Sequence, residues 1–173
     1  MIYLCNQRIQ LRALEPEDVD VIYTAENETS AWWVGEQTGP YSILSVRNYV
    51  LNANNDIYAD RQLRLMAELK EDHTCVGIID LFDFSPRHMR AEVGIIVFPE
   101  FQGQGYGNEM LQMLDEFCCS HLHFHQLYAR TPVSNEYAVK LFRKNGYQTE
   151  SLLKDWVSVP DGYMDALLLQ KIF

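Results

Sequence analysis

With 173 residues, the chain is long enough for a domain that needs no disulfide or metal staple, and residues 1–173 are expected to form one domain. Apolar residues at 47% and charged residues at 22% exclude a disordered or low-complexity chain. Acidic residues outnumber basic ones 24 to 14, and the formal charge of -10 argues against nucleic acid as a partner while drawing in cationic small molecules.

Arg8–Leu14 alternates apolar and polar residues and predicts a strand. Glu15-Pro16-Glu17-Asp18 then opens a helix, because proline suits a first turn and acids suit its positive end. Val19, Ile22 and Tyr23 continue it at helical spacing, and residues 27–30 end it. Residues 31–41, rich in aromatics, glycine and proline, read as a structured loop. Ser42 is the expected cap of a second helix with Val46, Tyr49 and Val50 on one face. Three strands without an intervening helix follow, over Gln62–Lys70, Cys75–Phe84 and Ala91–Phe98, so they predict an antiparallel meander. Gly105–His121 carries Met110, Leu111, Leu114 and Phe117 on one stripe and reads as a helix. Gln126–Thr131 is a short strand, and a helix runs from Ser134-Asn135 to a glycine stop at Asn145-Gly146. Tyr147–Val159 and Tyr163–Phe173 form a closing antiparallel pair. The order is an α/β domain with a mixed sheet.

The chemistry concentrates after the fourth strand, in Pro99-Glu100-Phe101-Gln102-Gly103-Gln104-Gly105-Tyr106-Gly107-Asn108. Glycines let backbone N–H groups converge, and the start of the following helix adds partial positive charge, which makes a site for an anion such as a diphosphate. A Walker loop needs lysine and then serine or threonine after its last glycine, and Tyr106-Gly107-Asn108 supplies neither. A Rossmann loop belongs in alternating βαβ units, whereas a meander precedes this one. A connection that serves packing alone is the remaining bland alternative.

The run Gln-x-x-Gly-x-Gly over Gln102–Gly107 resembles the acyl-CoA loop of the GNAT superfamily of acetyltransferases. Asn135-Glu136-x-Ala138-x-x-Leu141-Phe142-x-Lys144-x-Gly146-Tyr147 resembles the second cofactor helix of that family, and the element order matches from about Arg8 to Ile172. The opening Leu11–Asp18 is similar to the branch holding spermidine and ribosomal-protein N-terminal acetyltransferases, and His88-x-Arg90-Ala91-Glu92 with the Trp33–Tyr41 loop is most similar to the polyamine enzymes.

This resemblance implies a GNAT fold, a mixed and mostly antiparallel sheet splayed where acetyl-CoA binds. It implies an acetyl-CoA-dependent N-acetyltransferase acting on a primary amine, with a polyamine such as spermidine first. The alternatives are a protein N-terminal or lysine amine, an amino sugar or antibiotic, or an acyl-CoA sensor without turnover. Backbone groups of Ile95, Ile96 and Val97 are expected to hold the pantetheine arm, and the amides of Gln102, Gly103, Gln104, Gly105, Tyr106, Gly107 and Asn108 the pyrophosphate. Asn135, Ala138 and Phe142 would flank the pantetheine. Glu92 is the candidate base, directly or through water, against the plainer role of a solvent-facing strand residue. Phe142 stands where many relatives place a proton-donating tyrosine, and Tyr137 lies on another helix face, so the general acid is unassigned. Asp80, Asp83 and Glu36, walled by Trp33 and Tyr41, are the candidate acceptor site, against the alternative of a solvated acidic edge.

His121, His123 and His125 straddle a helix end and a strand start without further ligands, so no metal is expected. Cys5, Cys75, Cys118 and Cys119 contain no CxxC pair and read as reduced thiols. With no basic-then-apolar leader at residues 1–8 and no membrane-length apolar run, a cytoplasmic protein without a membrane partner is expected. The family resemblance also implies a homo-oligomer, a dimer or higher.

Overall fold

The computed structural model describes residues 3–29, 32 and 37–173. Among the described residues, seven strands form one sheet in the order β1-β2-β3-β4-β5-β7-β6. Strand β1 is Ile9–Arg12, and a 3-10 turn at Pro16–Asp18 runs into α1, Val19–Glu26. The Asp18 carboxylate accepts the Glu15 N–H at 2.8 Å, so the acidic opening satisfies a donor the helix cannot. Helix α2, Ile43–Asn52, starts where Ser42 Oγ accepts the Ser45 N–H at 3.0 Å. A one-turn helix, α3 at Ile57–Asp60, is absent from the expected order; Asp56 caps it, and Arg61 in the left-handed region ends it. Four residues are too few to show a helical period.

Strands β2 (Leu63–Leu69), β3 (Cys75–Ser85) and β4 (Arg90–Val97) make the expected antiparallel meander. Helix α4 is Tyr106–Ser120, β5 is Gln126–Pro132 and α5 is Glu136–Lys144, followed by β6 (Gln148–Val159) and β7 (Gly162–Ile172). Residues alternate between the two sheet faces. Leu65, Ala67, Ile79, Leu81, Ala91 and Val93 belong to a core shared with Met110, Leu111, Leu114 and Cys118 of α4 and Leu141 and Phe142 of α5. Met66 and Ile78 belong to a second core with Val19 and Ile22 of α1 and Val46 and Val50 of α2. The sheet therefore separates an α4/α5 side from an α1/α2 side. Among the described residues, no helix is long and apolar enough to cross a membrane.

Candidate functional site

The sheet changes character between β4 and β5. These strands are parallel and pair only at Arg90–Gln126, Ala91–Leu127 and Glu92–Tyr128. Beyond Glu92, β4 continues to Val97 on β3, and among the described residues no strand pairs with its other edge. Phe98 N–H donates to Val76 O at 3.0 Å, across to β3. Strand alternation then turns the Ile96 backbone groups to β3 as well, and those of Ile95 and Val97 into the fork. The Val97 carbonyl already accepts the Gln102 side-chain amide at 3.0 Å.

Glu92 closes the crotch of the fork. Its residue is 3% exposed, and its carboxylate accepts four contacts from Arg130: the backbone N–H at 3.3 Å, Nε at 2.8 and 2.9 Å and Nη2 at 2.6 Å. Glu92 therefore differs from a solvent-facing strand residue. These contacts fill the carboxylate's acceptor capacity and leave little for an incoming amine proton.

The glycine-rich loop follows a 3-10 turn, Pro99–Phe101. Gly103 and Gly105 have φ of 74° and 90°, where any other residue is strained, and nothing lies within 4 Å of a Cβ built on either. The loop is thus an open rim of backbone. Gln102 N–H bonds Pro99 O at 3.3 Å and Asn108 N–H bonds Gly105 O at 3.1 Å, which narrows the available amides to those between them. At Gly107 a Cβ would lie 3.4 Å from Val97 Cγ2 and Leu141 Cδ2, at van der Waals contact, so α4 packs closely on β4 and α5 here.

On α5, Asn135 caps the helix by accepting the Ala138 N–H at 3.1 Å, which commits both groups to the helix start. Phe142 is buried, with its ring edge-on to Tyr147 at 5.0 Å. Tyr147 in turn donates to Asp115 at 2.7 Å, so its hydroxyl is held in the core.

On the α1/α2 side, a cavity of about 300 Å³ is lined by Glu26, Tyr41, Tyr49, Gln62 and Arg64, among others. A neighbouring cavity of about 260 Å³ shares Tyr49, Gln62 and Arg64 and reaches Asp60. Joined along these shared residues, the two cavities make one groove, with Glu26 lining one part and Asp60 the other. Arg64 donates to Asp80 through Nε and Nη2, each at 2.8 Å, and to Glu26 through Nη1 at 2.5 Å. Burial works against the Arg64 charge, but Asp80 and Glu26 outweigh it and hold the guanidinium above its ordinary range. Asp80 pairs in register with Gly94, and a Cβ on Gly94 would lie 3.7 Å from that of Asp80. The Phe82 ring fills the rest of that space, 3.1 Å from the same Cβ position, so the missing side chain lets Phe82 and Asp80 pack against β4.

Tyr41 lines the groove, its backbone clasped by Asn27 through bonds of 2.9 and 3.1 Å. Asp83 lies apart from this cluster, in a bulge at φ 50°, and accepts the Tyr128 hydroxyl at 2.5 Å. Burial first and Asp83 second push the Tyr128 phenol up. Trp33 and Glu36 lie outside the described residues. The sequence does not reveal Glu26, Arg64 or Tyr49 as site residues, because only cross-strand register and the packing of α1 and α2 bring them to the site.

Residues 8–148 match the acetyltransferase (GNAT) domain family. The chain is similar to a spermidine N(1)-acetyltransferase of Vibrio cholerae, 26% identical over 162 residues that cover 92% of this chain and 90% of that protein. A crystal structure of the Vibrio cholerae spermidine N-acetyltransferase with CoA and spermine shares the fold, with a TM-score of 0.85 at 24% identity and 96% coverage of both chains. A dodecameric structure of that enzyme matches with a TM-score of 0.81 at 25% identity, over 96% of this chain and 95% of that one. The splayed mixed sheet, the glycine-rich loop on α4 and the family match agree: the chain belongs to the GNAT acetyltransferase family and is an N-acetyltransferase with acetyl-CoA as its acyl donor.

Proposed function

We propose that this enzyme acetylates an extended polyamine of the spermidine type. The groove carries the proposal, with Glu26 in one part and Asp60 in the other, tyrosine walls and Asp80 in register with Gly94 of β4. Such a groove suits an alkyl chain with cationic nitrogens, which carboxylates pair and aromatic faces attract. The relatives named as spermidine acetyltransferases support the same acceptor.

The donor fits the residues present. The fork-facing backbone of Ile95 and the Val97 N–H suit the amide-bearing pantetheine arm in the manner of an added strand, the Val97 carbonyl being held by Gln102. The amides between Gln102 and Asn108 suit its diphosphate. The thioester would then lie in the fork, and the acceptor would reach it from the α1/α2 side.

An alkylammonium with pKa ~10.4 is neutral in only about one molecule per thousand near pH 7. We assign its first proton, directly or through water, to Asp80, whose two oxygens each accept one bond from Arg64, whereas Glu92 accepts four contacts from Arg130. The amine nitrogen bonds the acetyl carbon as the carbon–sulfur bond breaks. The second nitrogen proton is released as the amide forms, the departing sulfur takes up one proton, and one leaves to solvent. Phe142 offers no proton, and a thiol of pKa ~8.5 leaves tolerably as thiolate.

Thiol release from acetyl-CoA tests this proposal with spermidine, spermine, a ribosomal-protein N-terminal peptide, a lysine peptide and an aminoglycoside. The expected result is a kcat/KM at least tenfold higher for the polyamines. A peptide or aminoglycoside preference would overturn the polyamine assignment. The enzyme is further proposed to be cytoplasmic and to self-associate, as the dodecameric relative does. A monomer by light scattering would refute the self-association.

A further inference from the structure

The first strand reaches the glycine-rich loop, although three strands order it away from the fork. Helix α4 crosses the sheet face, and its first turn meets the residues just before β1. There Arg8 makes three contacts with the loop and helix. Its Nη1 donates to the Gln104 carbonyl at 3.3 Å and to Glu109 Oε1 at 2.5 Å. Its guanidinium lies 4.3 Å from the Tyr106 ring centroid. Asn6 donates to the other Glu109 oxygen at 2.7 Å, and its own carbonyl side-chain oxygen accepts the N–H groups of Arg8 and Ile9, each at 2.8 Å.

These contacts have two consequences for an anion at the loop. A trans peptide points its C=O and N–H in opposite directions, so anchoring Gln104 O on Arg8 fixes the Gly105 N–H to point away from Arg8. The second consequence is electrostatic. Glu109 puts a negative charge in the first turn of α4, where it suits the helix dipole but opposes a bound diphosphate. Arg8 pairs with that charge and cancels it.

We infer that Arg8 is a positioning residue for acetyl-CoA, which makes the start of β1 part of the diphosphate site by neutralising Glu109 and orienting the loop. The inference rests on the assignment of Gly103–Gly107 to the diphosphate. Arg8→Gln, Glu109→Gln and the double variant test it, with calorimetric CoA affinity, the KM for acetyl-CoA and kcat as readouts. The Arg8 side chain is 47% exposed, so its replacement leaves the core intact, and the thermal midpoint checks this.

Arg8→Gln is expected to weaken CoA about three- to tenfold, raising the KM for acetyl-CoA with kcat at saturation retained. Adding Glu109→Gln is expected to return the affinity to within about twofold of wild type. An Arg8→Gln affinity equal to wild type overturns the inference, as does a double variant as weak as the single one. A wild-type protein that fails to bind CoA would instead remove the diphosphate assignment, and this inference with it.

Discussion

Glu92→Gln separates two roles for the carboxylate at the crotch of the fork. In the structure Glu92 is a latch, with four contacts to Arg130 across the last residue pair that β4 and β5 share. A glutamine keeps one acceptor oxygen but turns an NH₂ towards donors of Arg130, which leaves a half-buried cation short of its partner. Losing one partner of a buried pair costs about 3–5 kcal/mol. Arg130 keeps 29% of its side chain exposed, so solvent takes part of that loss and about 2–3 kcal/mol is the working figure. At about 2–4 °C per kcal/mol for a domain of this size, the thermal midpoint should fall by about 4–12 °C. Because the latch sets where the strands part, CoA affinity should fall with it. A general base would behave differently. Its removal costs about 10²–10⁴ in kcat and need not affect stability or cofactor affinity. Differential scanning calorimetry, CoA titration and a kcat-against-pH profile on one preparation decide between them. A variant with wild-type midpoint and CoA affinity, but kcat reduced a hundredfold or more, would refute the latch and restore Glu92 as base.

Asp80→Ala should raise the KM for polyamine at least tenfold while changing that for acetyl-CoA little; equal, small effects on both would remove Asp80 from the acceptor site. Gly77→Ala places a Cβ 2.3 Å from the Ile96 carbonyl oxygen, so β3 and β4 must part. A loss of about 1–3 kcal/mol and weaker CoA binding are expected, and an unchanged midpoint would show that the strands yield without cost. Glu68 provides a pH test. Burial opposes its charge, but hydrogen bonds from His73, Arg12 and Gln10 prevail and hold the carboxyl at about 2, below its ordinary 4.5. A depressed carboxyl contributes stability above its unfolded value and loses it as pH falls, here between about 4.5 and 2. Glu68→Gln should therefore lower stability at pH 7 and flatten that part of the acid-unfolding curve. An unaltered curve would remove Glu68 from the acid transition.

Local signals in this sequence read through to structure wherever one residue decides a boundary. Ser42 and Asn135 cap the helices they were expected to start, and Gly146 at φ 89° stops α5 as its position after Asn145 implies. The glycine-rich loop was legible for the same reason, because only glycine serves at Gly103 and Gly105. Register was not legible. The sequence places Arg64 and Asp80 on neighbouring strands but does not say that they stand opposite each other, nor that Glu26 of α1 arrives at the same guanidinium. Likewise, an alternating strand pattern marks Ile95, Ile96 and Val97 alike, and only the bond from Phe98 to Val76 shows that the middle one faces β3.

Glu92 shows why this limit matters for function. A strand acid next to a cofactor strand suggests a base, because a lone carboxylate in a strand has no evident partner. Its partner lies on β5, 38 positions away, and meets it only because β5 runs parallel to β4 for three residue pairs and then departs. The same departure creates the fork. An acid at the parting point is thus buried by the topology that opens the acyl site, and burial without a cation would be costly. Arg130 supplies that cation from the strand that leaves. On this argument the ion pair is a requirement of splitting the sheet at this point, and the proposed proton transfer rests on Asp80, which stands in register with Gly94.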